Sequence, residues 1–457
     1  MKPHTGDEPA TENVKRKRPG LAAYLEPRTF LMLVLGFSSG LPFLLTGNTF
    51  GYWLRDQGTS LAAIGFLSGV GIAYSLKFLW APIVDRTVPP LLGRLGHRRA
   101  WMLASQIVAG LGLIAMAIAG TSHGLVTAGV LALIVAFASA TQDIVIDAWR
   151  IEIAQSDEEL GLLSSAYQLG YRVALIATDA LILIAAANLG WPISYALYGL
   201  LMGAGIAATL FAPEPARASR IMEENADTAP LWSWRGFTDA VVGPFAAFFR
   251  THGLLAFLML AAISLYRLPD FMMGPMANPF YHDIGLTKEM VGAVRGSIGL
   301  GASFAGIAAG GFCVLRFGFL PSLIAGGILQ ALAIAAYATL AMFTPSLSLF
   351  AAVMTGDNFA ISFAGVALVS YMSSLTSLGY TATQYALLTS CYAWIGKISK
   401  TFSGLAVEVL SATHGLIGAY KLFFIATGVA GIPAILLFAL LFRLKHTKAG
   451  SLPAPPR

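Results

Sequence analysis

Asp143 and Asp147 stand four residues apart in ATQDIVIDAWR, residues 140–150, so they share one face of any helix that runs through them. The run before them, 124–140, is apolar or small, the material of a helix that dissolves in lipid. A charged side chain in hydrocarbon costs roughly 2.5 to 3.5 kcal/mol on insertion scales, so an acid there faces a polar cavity or a partner. Asp147 also suits the end of the helix, where an acid is cheap. Asp143 lies one turn deeper and is a candidate proton carrier. Asp357, beside Asn358 and about eleven residues into its own apolar run, is a second candidate, and Asp270 a third.

Five basic residues fall inside apolar runs: Lys77, Arg172, Arg267, Arg295 and Lys397. A rise of about 1.5 Å per residue puts Arg172 and Lys397 near the middle, Arg267 and Arg295 in the outer half and Lys77 in the inner half. Around a water-filled cavity such cations favour an anion, and Arg can grip a carboxylate or phosphate with two hydrogen bonds. The chemistry expected is binding of a solute with carboxylates or phosphates. The competing reading is internal ion pairing with Asp143, Asp179, Asp270 and Asp357: Arg267 and Asp270 are three apart, and Asp357 could be a fixed partner of Lys397. Gln142, Gln384 and Asn358 suit sugar or amide groups, although a buried Gln also serves to join two helices. Tyr74, Trp80, Tyr167, Tyr171, Tyr385 and Trp394 could stack on sugar faces, or simply pack and line the membrane interface.

The elements that hold these residues are membrane helices. Of 457 residues, 56% are hydrophobic and 11% charged, where a soluble domain has about a quarter charged. Apolar runs near 20 residues long, enough to cross about 30 Å of hydrocarbon, predict twelve spans. They cover 29–52, 60–83, 100–120, 124–149, 160–186, 192–212, 252–278, 287–312, 318–342, 346–372, 380–410 and 415–442. The domain division expected is a tail over 1–28, a six-helix half over 29–212, a linker over 213–251, a second half over 252–442 and a tail over 443–457. Gly36, Gly40 and Pro42, and Pro269, are expected to bend the first and seventh spans.

Lys and Arg orient the chain. Lys15 to Arg18, Arg86, Arg94, Arg98, Arg99, the linker basics from Arg217 to Arg250, Arg316, Arg443, Lys445 and Lys448 fall on one side, and little beyond Arg55 and Lys288 on the other. The positive-inside rule then places both termini in the cytoplasm, and the net charge of +6 needs no nucleic acid. The N-terminal stretch lacks the cleavage site of a secretory signal. Cys313 and Cys391 fall in spans and the seven His mostly in loops, a pattern with no disulfide, haem or zinc signature. The linker ends in an amphipathic stretch, Trp232, Trp234, Phe237, Val241, Phe245 and Phe248, which either lies in the headgroup region or leads into the seventh span.

The halves repeat. Ser60 to Gly65 opens the second span as Thr287 to Gly292 opens the eighth, and Tyr167/Arg172 in the fifth is matched by Tyr392/Lys397 in the eleventh. Such parallel repeats are the pattern of major facilitator transporters. After the second span, Asp85-Arg86 and then Gly96-His97-Arg98-Arg99 resemble the cytoplasmic motif of that superfamily in stretched form, with Ala81 at its first glycine. The resemblance implies that Asp85, Arg86, Arg98 and Asp147 form a latch holding the cytoplasmic side closed.

LGFSSGLP (35–42), LKFLWAPIVDR (76–86), ATQDIVIDAW, LGYR (169–172) and TATQYALL (381–388) together resemble the AmpG muropeptide permease family. The resemblance runs through all twelve spans. It implies an all-α major facilitator fold in the bacterial inner membrane and proton-driven import of N-acetylglucosaminyl-1,6-anhydro-N-acetylmuramyl peptides from the periplasm. Those peptides serve cell-wall recycling and, in some bacteria, β-lactamase induction and hence antibiotic resistance. It implies a monomer with no cofactor beyond the proton gradient. The chain has no Walker phosphate loop, no His-Glu-x-x-His and no Gly-x-Ser-x-Gly elbow, which disfavours an ATP-driven pump and the common hydrolases. The alternative substrate is another bulky anion, such as acetyl-coenzyme A or a peptide.

Overall fold

A computed structural model describes residues 26–59, 63, 67–120, 124–215, 233–343 and 346–450. Among them the chain is helical throughout, with no strand. We number the membrane helices α1 (Pro27–Asp56), α2 (Gly69–Leu79, continued by Ala81–Arg86), α3 (His97–Ala119), α4 (Leu125–Ile153), α5 (Asp157–Leu189) and α6 (Trp191–Phe211). In the second half come α7 (Leu255–Tyr281), α8 (Met290–Phe317), α9 (Phe319–Met342) and α10 (Leu347–Ser374). The apolar stretch Thr381–Leu444 is broken at Gly415, whose φ of 70° and ψ of 165° no helix interior adopts. It therefore supplies two spans, α11 (381–414) and α12 (416–450). Residues 1–25, 216–232 and 451–457 lie outside the described set, and with them both ends of the expected tails, most of the linker's charges, and Trp232.

The helix count follows the sequence expectation, with α2 as its exception. Among the described residues, ten helices are long and apolar enough to cross a membrane, Gly69–Leu79 being shorter. α2 is a chain of short 3-10 and α-helical turns, Ser68–Ile72, Ala73–Leu76, Lys77–Leu79 and Ala81–Arg86, where the sequence predicts one continuous span over 60–83. Pro82 is the reason for its last break, since proline lacks the N–H that would bond back to the preceding turn. α1 likewise pauses at Thr46–Gly47 after Pro42.

The halves touch face to face along α5 and α8, where Ser165 Oγ donates to the Ile307 carbonyl at 3.1 Å, and along α2, α4 and α11. Within the first half, α1 and α5 approach so closely that a Cβ on Gly170 would sit 1.9 Å from the Leu33 carbonyl, and one on Gly36 2.3 Å from that of Tyr167. Only glycine fits there. α4 has 29 residues, about 43 Å of helix, so it outruns the hydrocarbon. Its last turns, with Asp147, Arg150 and Glu152, project among the loops at the end of the bundle that also carries the linker. We call this the linker end.

Candidate functional site

At the linker end, Asp85 from α2 sits against the first turn of α11. Its oxygens accept from Ala382 N at 3.2 Å, Thr383 N at 2.8 Å and Thr383 Oγ1 at 2.7 Å. A helix start presents unpaired N–H groups and a partial positive charge, both of which a carboxylate satisfies. Asp85 also pairs with Arg98 Nη2 at 2.9 Å. Arg98, 2% exposed, continues to Glu152 at 2.5 and 2.9 Å. The acid that α4 offers to Arg98 is therefore Glu152, where the sequence reading has Asp147. Five residues further along, Glu152 has passed to the helix face that meets α3, while Asp147 turns to Arg150 at 3.1 Å and Lys77 at 3.9 Å. Glu214, at the start of the linker, caps α3 by accepting from Arg98 N at 2.8 Å and Arg99 N at 3.1 Å.

The linker helix Trp234–His252 bridges both halves beneath this contact. Arg86 of α2 donates to the Gly236 carbonyl at 3.0 Å, and Gln384 of α11 donates to the Pro244 carbonyl at 2.9 Å. Gln384 also accepts from Ser377 N at 2.6 Å. Its amide oxygen thus holds the loop and its amide nitrogen the linker helix. Gln142, fully buried, donates to Ser38 Oγ at 3.1 Å and joins α4 to α1, while its Oε1 accepts no hydrogen bond among the described residues. In the linker helix Phe248 is buried and Phe245 is 44% exposed.

Away from these contacts, between the halves, lies a cavity of about 810 Å³. α1 lines it with Phe43, Thr46 and Asn48, α2 with Tyr74, Ser75 and Lys77, α4 with Asp143, α5 with Tyr171, α7 with Phe271 and α11 with Thr389, Ser390, Tyr392 and Lys397. Lys77, Asp143 and Lys397, scattered over 320 positions of sequence, thus share one wall. Asp143 is 8% exposed and accepts from Ser39, whose oxygen also bonds Tyr167 at 3.0 Å. Lys397 donates across the gap to Ser75. A second cavity, of about 630 Å³ and mostly apolar, lies at the linker end of the second half and holds none of the candidate residues.

The remaining candidates lie outside the wall of the 810 Å³ cavity, in polar contacts of the second half that Arg172 of the first half joins. Arg172 of α5 donates to Ser303 on α8 at 3.0 Å and to Asn358 on α10 at 3.3 Å. Arg267 pairs with Asp270 at 3.0 Å and donates to the Ile361 carbonyl at 3.4 Å. Arg295 donates to Asn278 at 2.8 Å and lies over the Tyr281 ring at 5.3 Å. Asp357 accepts from Tyr337 at 3.0 Å. The fixed pair of Asp357 with Lys397 is not formed, while the Arg267–Asp270 pair is. Among the described residues no cluster of His, Cys, Asp or Glu is arranged to hold a metal.

Several residues in these contacts carry no sequence signal of their own. Ser39, Ser75, Ser303, Tyr337 and Thr383 are hydroxyls in apolar helices. Arg150 and Glu152 continue the helix of Asp143 and Asp147, and the i, i+3 spacing of Asp147 and Arg150 is a signal that could have found the pair.

A polar-walled cavity between two six-helix halves, shut at one end by charged contacts, is the layout of a solute carrier. The family model described as Acetyl-coenzyme A transporter 1 matches residues 28–185. The anhydromuropeptide permease of Escherichia coli K12 is 34% identical over 430 residues, 94% of this chain and 82% of that protein. This chain belongs to the AmpG permease family. Another AmpG relative, the putative transporter AmpG 4 of Rickettsia conorii, is 31% identical and covers 91% of this chain and 96% of its own. Among solved structures, the proton:xylose symporter XylE superposes with a TM-score of 0.64 at 15% identity, covering 91% of this chain and 95% of that one. A bacterial homologue of the iron transporter ferroportin, in an outward-facing state, gives 0.61 at 14%, covering 90% of this chain and 98% of that one. Both likenesses establish the major facilitator fold. This AmpG-family chain is accordingly a multi-pass membrane transporter and not an enzyme.

Proposed function

We propose that this chain imports anhydromuropeptides across the bacterial inner membrane, drawing on the proton gradient, with both termini in the cytoplasm. The observation that carries the reading is the 810 Å³ cavity whose wall combines Lys77 and Lys397 with Tyr74, Tyr171 and Tyr392. Cavities of a few hundred to a thousand Å³ enclose ligands of drug size and larger when open at one side. Two ammonium groups suit stem-peptide carboxylates, and aromatic faces with hydroxyl and amide neighbours suit a disaccharide. The name of the E. coli relative supports the same substrate.

In this reading Arg172 and Asn358 hold substrate when the second half closes on it, with Arg267 and Arg295 lending positive potential. Asp143 is the leading proton carrier, because it accepts a hydrogen bond from the Ser39 hydroxyl and borders the cavity. Asp357 is second and Asp270, tied to Arg267, third. Asp85, Arg86 and Arg98 act as the cytoplasmic gate, and alternating access consists of breaking their contacts while the opposite side closes. The imported peptides then feed cell-wall recycling and, where an inducible β-lactamase is present, its induction. The protein works as a monomer without a cofactor.

The deciding experiment is uptake of labelled anhydromuropeptide into proteoliposomes under an inward proton gradient. Accumulation above empty liposomes, abolished by an ionophore, is expected; folded protein that accumulates none would refute the proposal. The match of residues 28–185 to the acetyl-coenzyme A transporter model favours one second reading, a coenzyme A thioester as substrate. Competition separates the two: unlabelled disaccharide and stem peptide inhibit in the first case, acetyl-coenzyme A in the second.

A further inference from the structure

Arg150 on α4 is fully buried where the halves meet, and it touches both. From its own half it takes Asp147 Oδ1 at 3.1 Å and the Tyr167 ring, 4.9 Å from the guanidinium carbon. From the other half it takes Ser373 Oγ on α10 at 3.0 Å and the Tyr385 ring on α11 at 5.4 Å. A guanidinium between two phenol rings and away from water is held at the strong end of the cation–π range. Asp147 divides its two oxygens between cations: Oδ1 faces Arg150, and Oδ2 faces Lys77 Nζ at 3.9 Å. Lys77 in turn stands on the cavity wall.

We propose that Arg150 is a positioning residue that carries the state of Lys77, on the cavity wall, to the contact between the halves. An anionic group arriving at Lys77 draws the ammonium off Asp147. The buried carboxylate then has Arg150 as its remaining cation and pulls the guanidinium back into the first half, because a buried charge must keep a partner. That movement takes Arg150 off Ser373 and Tyr385, and one layer of the linker-end closure is undone. The Asp85–Thr383 contact is the other layer. The proposal depends on the transport reading only in calling the arriving anion a substrate.

The test needs no substrate. In a full-length background carrying Cys313→Ala and Cys391→Ala, Ala386→Cys is the reporter. Ala386 is 1% exposed and belongs to the buried cluster in which α11 meets α4 and α2, beside Tyr385, so a soluble maleimide reaches it only when the halves part. Lys77→Met, which leaves Asp147 to Arg150 alone, and Tyr385→Leu, which removes one ring, are each expected to raise the labelling rate about tenfold; Arg150→Gln raises it at least as much. The Lys77→Met/Arg150→Gln double variant is expected to label no faster than Arg150→Gln alone, because Lys77 acts through Arg150. If Arg150→Gln does not purify as a monodisperse protein, the Lys77→Met/Tyr385→Leu pair supplies the same comparison. Parental labelling in Arg150→Gln and Tyr385→Leu would overturn the proposal. So would a double variant whose rate is the product of the single effects, since Arg150 would then be a packing residue independent of Lys77.

Discussion

Arg172 of α5 crosses from one half of the molecule to the other and donates to Ser303 of α8 at 3.0 Å. Lys397 of α11 makes the mirror contact with Ser75 of α2. α5 and α11 are corresponding helices of the two halves, as are α2 and α8, so the internal repeat visible in the spacing of Tyr167/Arg172 and Tyr392/Lys397 becomes a pair of cation–hydroxyl contacts across the gap. Around Arg172 the two acceptors, Ser303 and Asn358, are both neutral.

Arg172→Ala is expected to abolish uptake while the protein still reaches the membrane. Arg172→Lys should restore little of it, because Nη2 alone makes both the Ser303 and Asn358 bonds, and an ammonium lacks the planar fork with which the rest of the guanidinium would grip a substrate carboxylate. Initial uptake rates alongside membrane-fraction immunoblots check this; near-normal transport in Arg172→Ala would mark the residue as structural.

Asp143→Asn separates proton coupling from substrate handling. The amide keeps a hydrogen bond with Ser39 but cannot carry a proton between the two sides. Gradient-driven accumulation should vanish, while exchange of internal for external substrate at equal pH persists. Loss of both activities in a stable protein would assign Asp143 to binding.

Asp85→Asn breaks a buried ion pair and weakens the cap on α11 in one change. Leaving one member of a buried pair uncompensated costs about 3–5 kcal/mol, here softened because Arg98 retains Glu152. Thr383→Val removes one hydroxyl contact and should cost about 1 kcal/mol. Thermal unfolding in detergent should rank Asp85→Asn well below Thr383→Val, and Thr383→Val slightly below the parent.

The partner of Arg98 can be read from double-mutant cycles on the same melting curves. Arg98→Gln and Glu152→Gln should couple by about 1–3 kcal/mol, as contacting charges do, whereas Arg98→Gln and Asp147→Asn should come close to additive. Strong coupling to Asp147 instead would restore the sequence-based assignment.

Gln384→Ala should leave the KM for substrate unchanged and loosen the linker helix, because its bonds run to Ser377 and Pro244 and not into the cavity. Limited proteolysis reports the second effect. A raised KM with an unchanged cleavage pattern would contradict this placement.

Membrane helices are legible because their signal is local: a run of apolar residues long enough to span the hydrocarbon must be helical whatever its neighbours do. Eleven of the expected spans appear as long helices on that ground, once Gly415 divides the last apolar stretch. The second is broken into short turns, because Pro82 and the packing around Trp80 act on a segment whose hydropathy alone looks continuous. The charges inside apolar runs were equally legible, and Lys77, Asp143 and Lys397 lie on the wall of one cavity.

What each charge pairs with was not. On one helix Asp143, Asp147, Arg150 and Glu152 take four different surroundings: the cavity wall, a shared place between two cations, the seam between the halves, and Arg98. Spacing along the chain states which of them share a face. Only the packing of α4 against α1, α2, α3, α5 and α11 states what each face meets, and a rotation of 100° per residue turns a five-residue difference into a different partner. By itself the sequence determined the number of spans, the two-half repeat and the family. Tertiary structure decided which acid meets Arg98, which carbonyl Gln384 bonds and which arginine sits on the seam, because those outcomes depend on distances between helices that no single stretch contains.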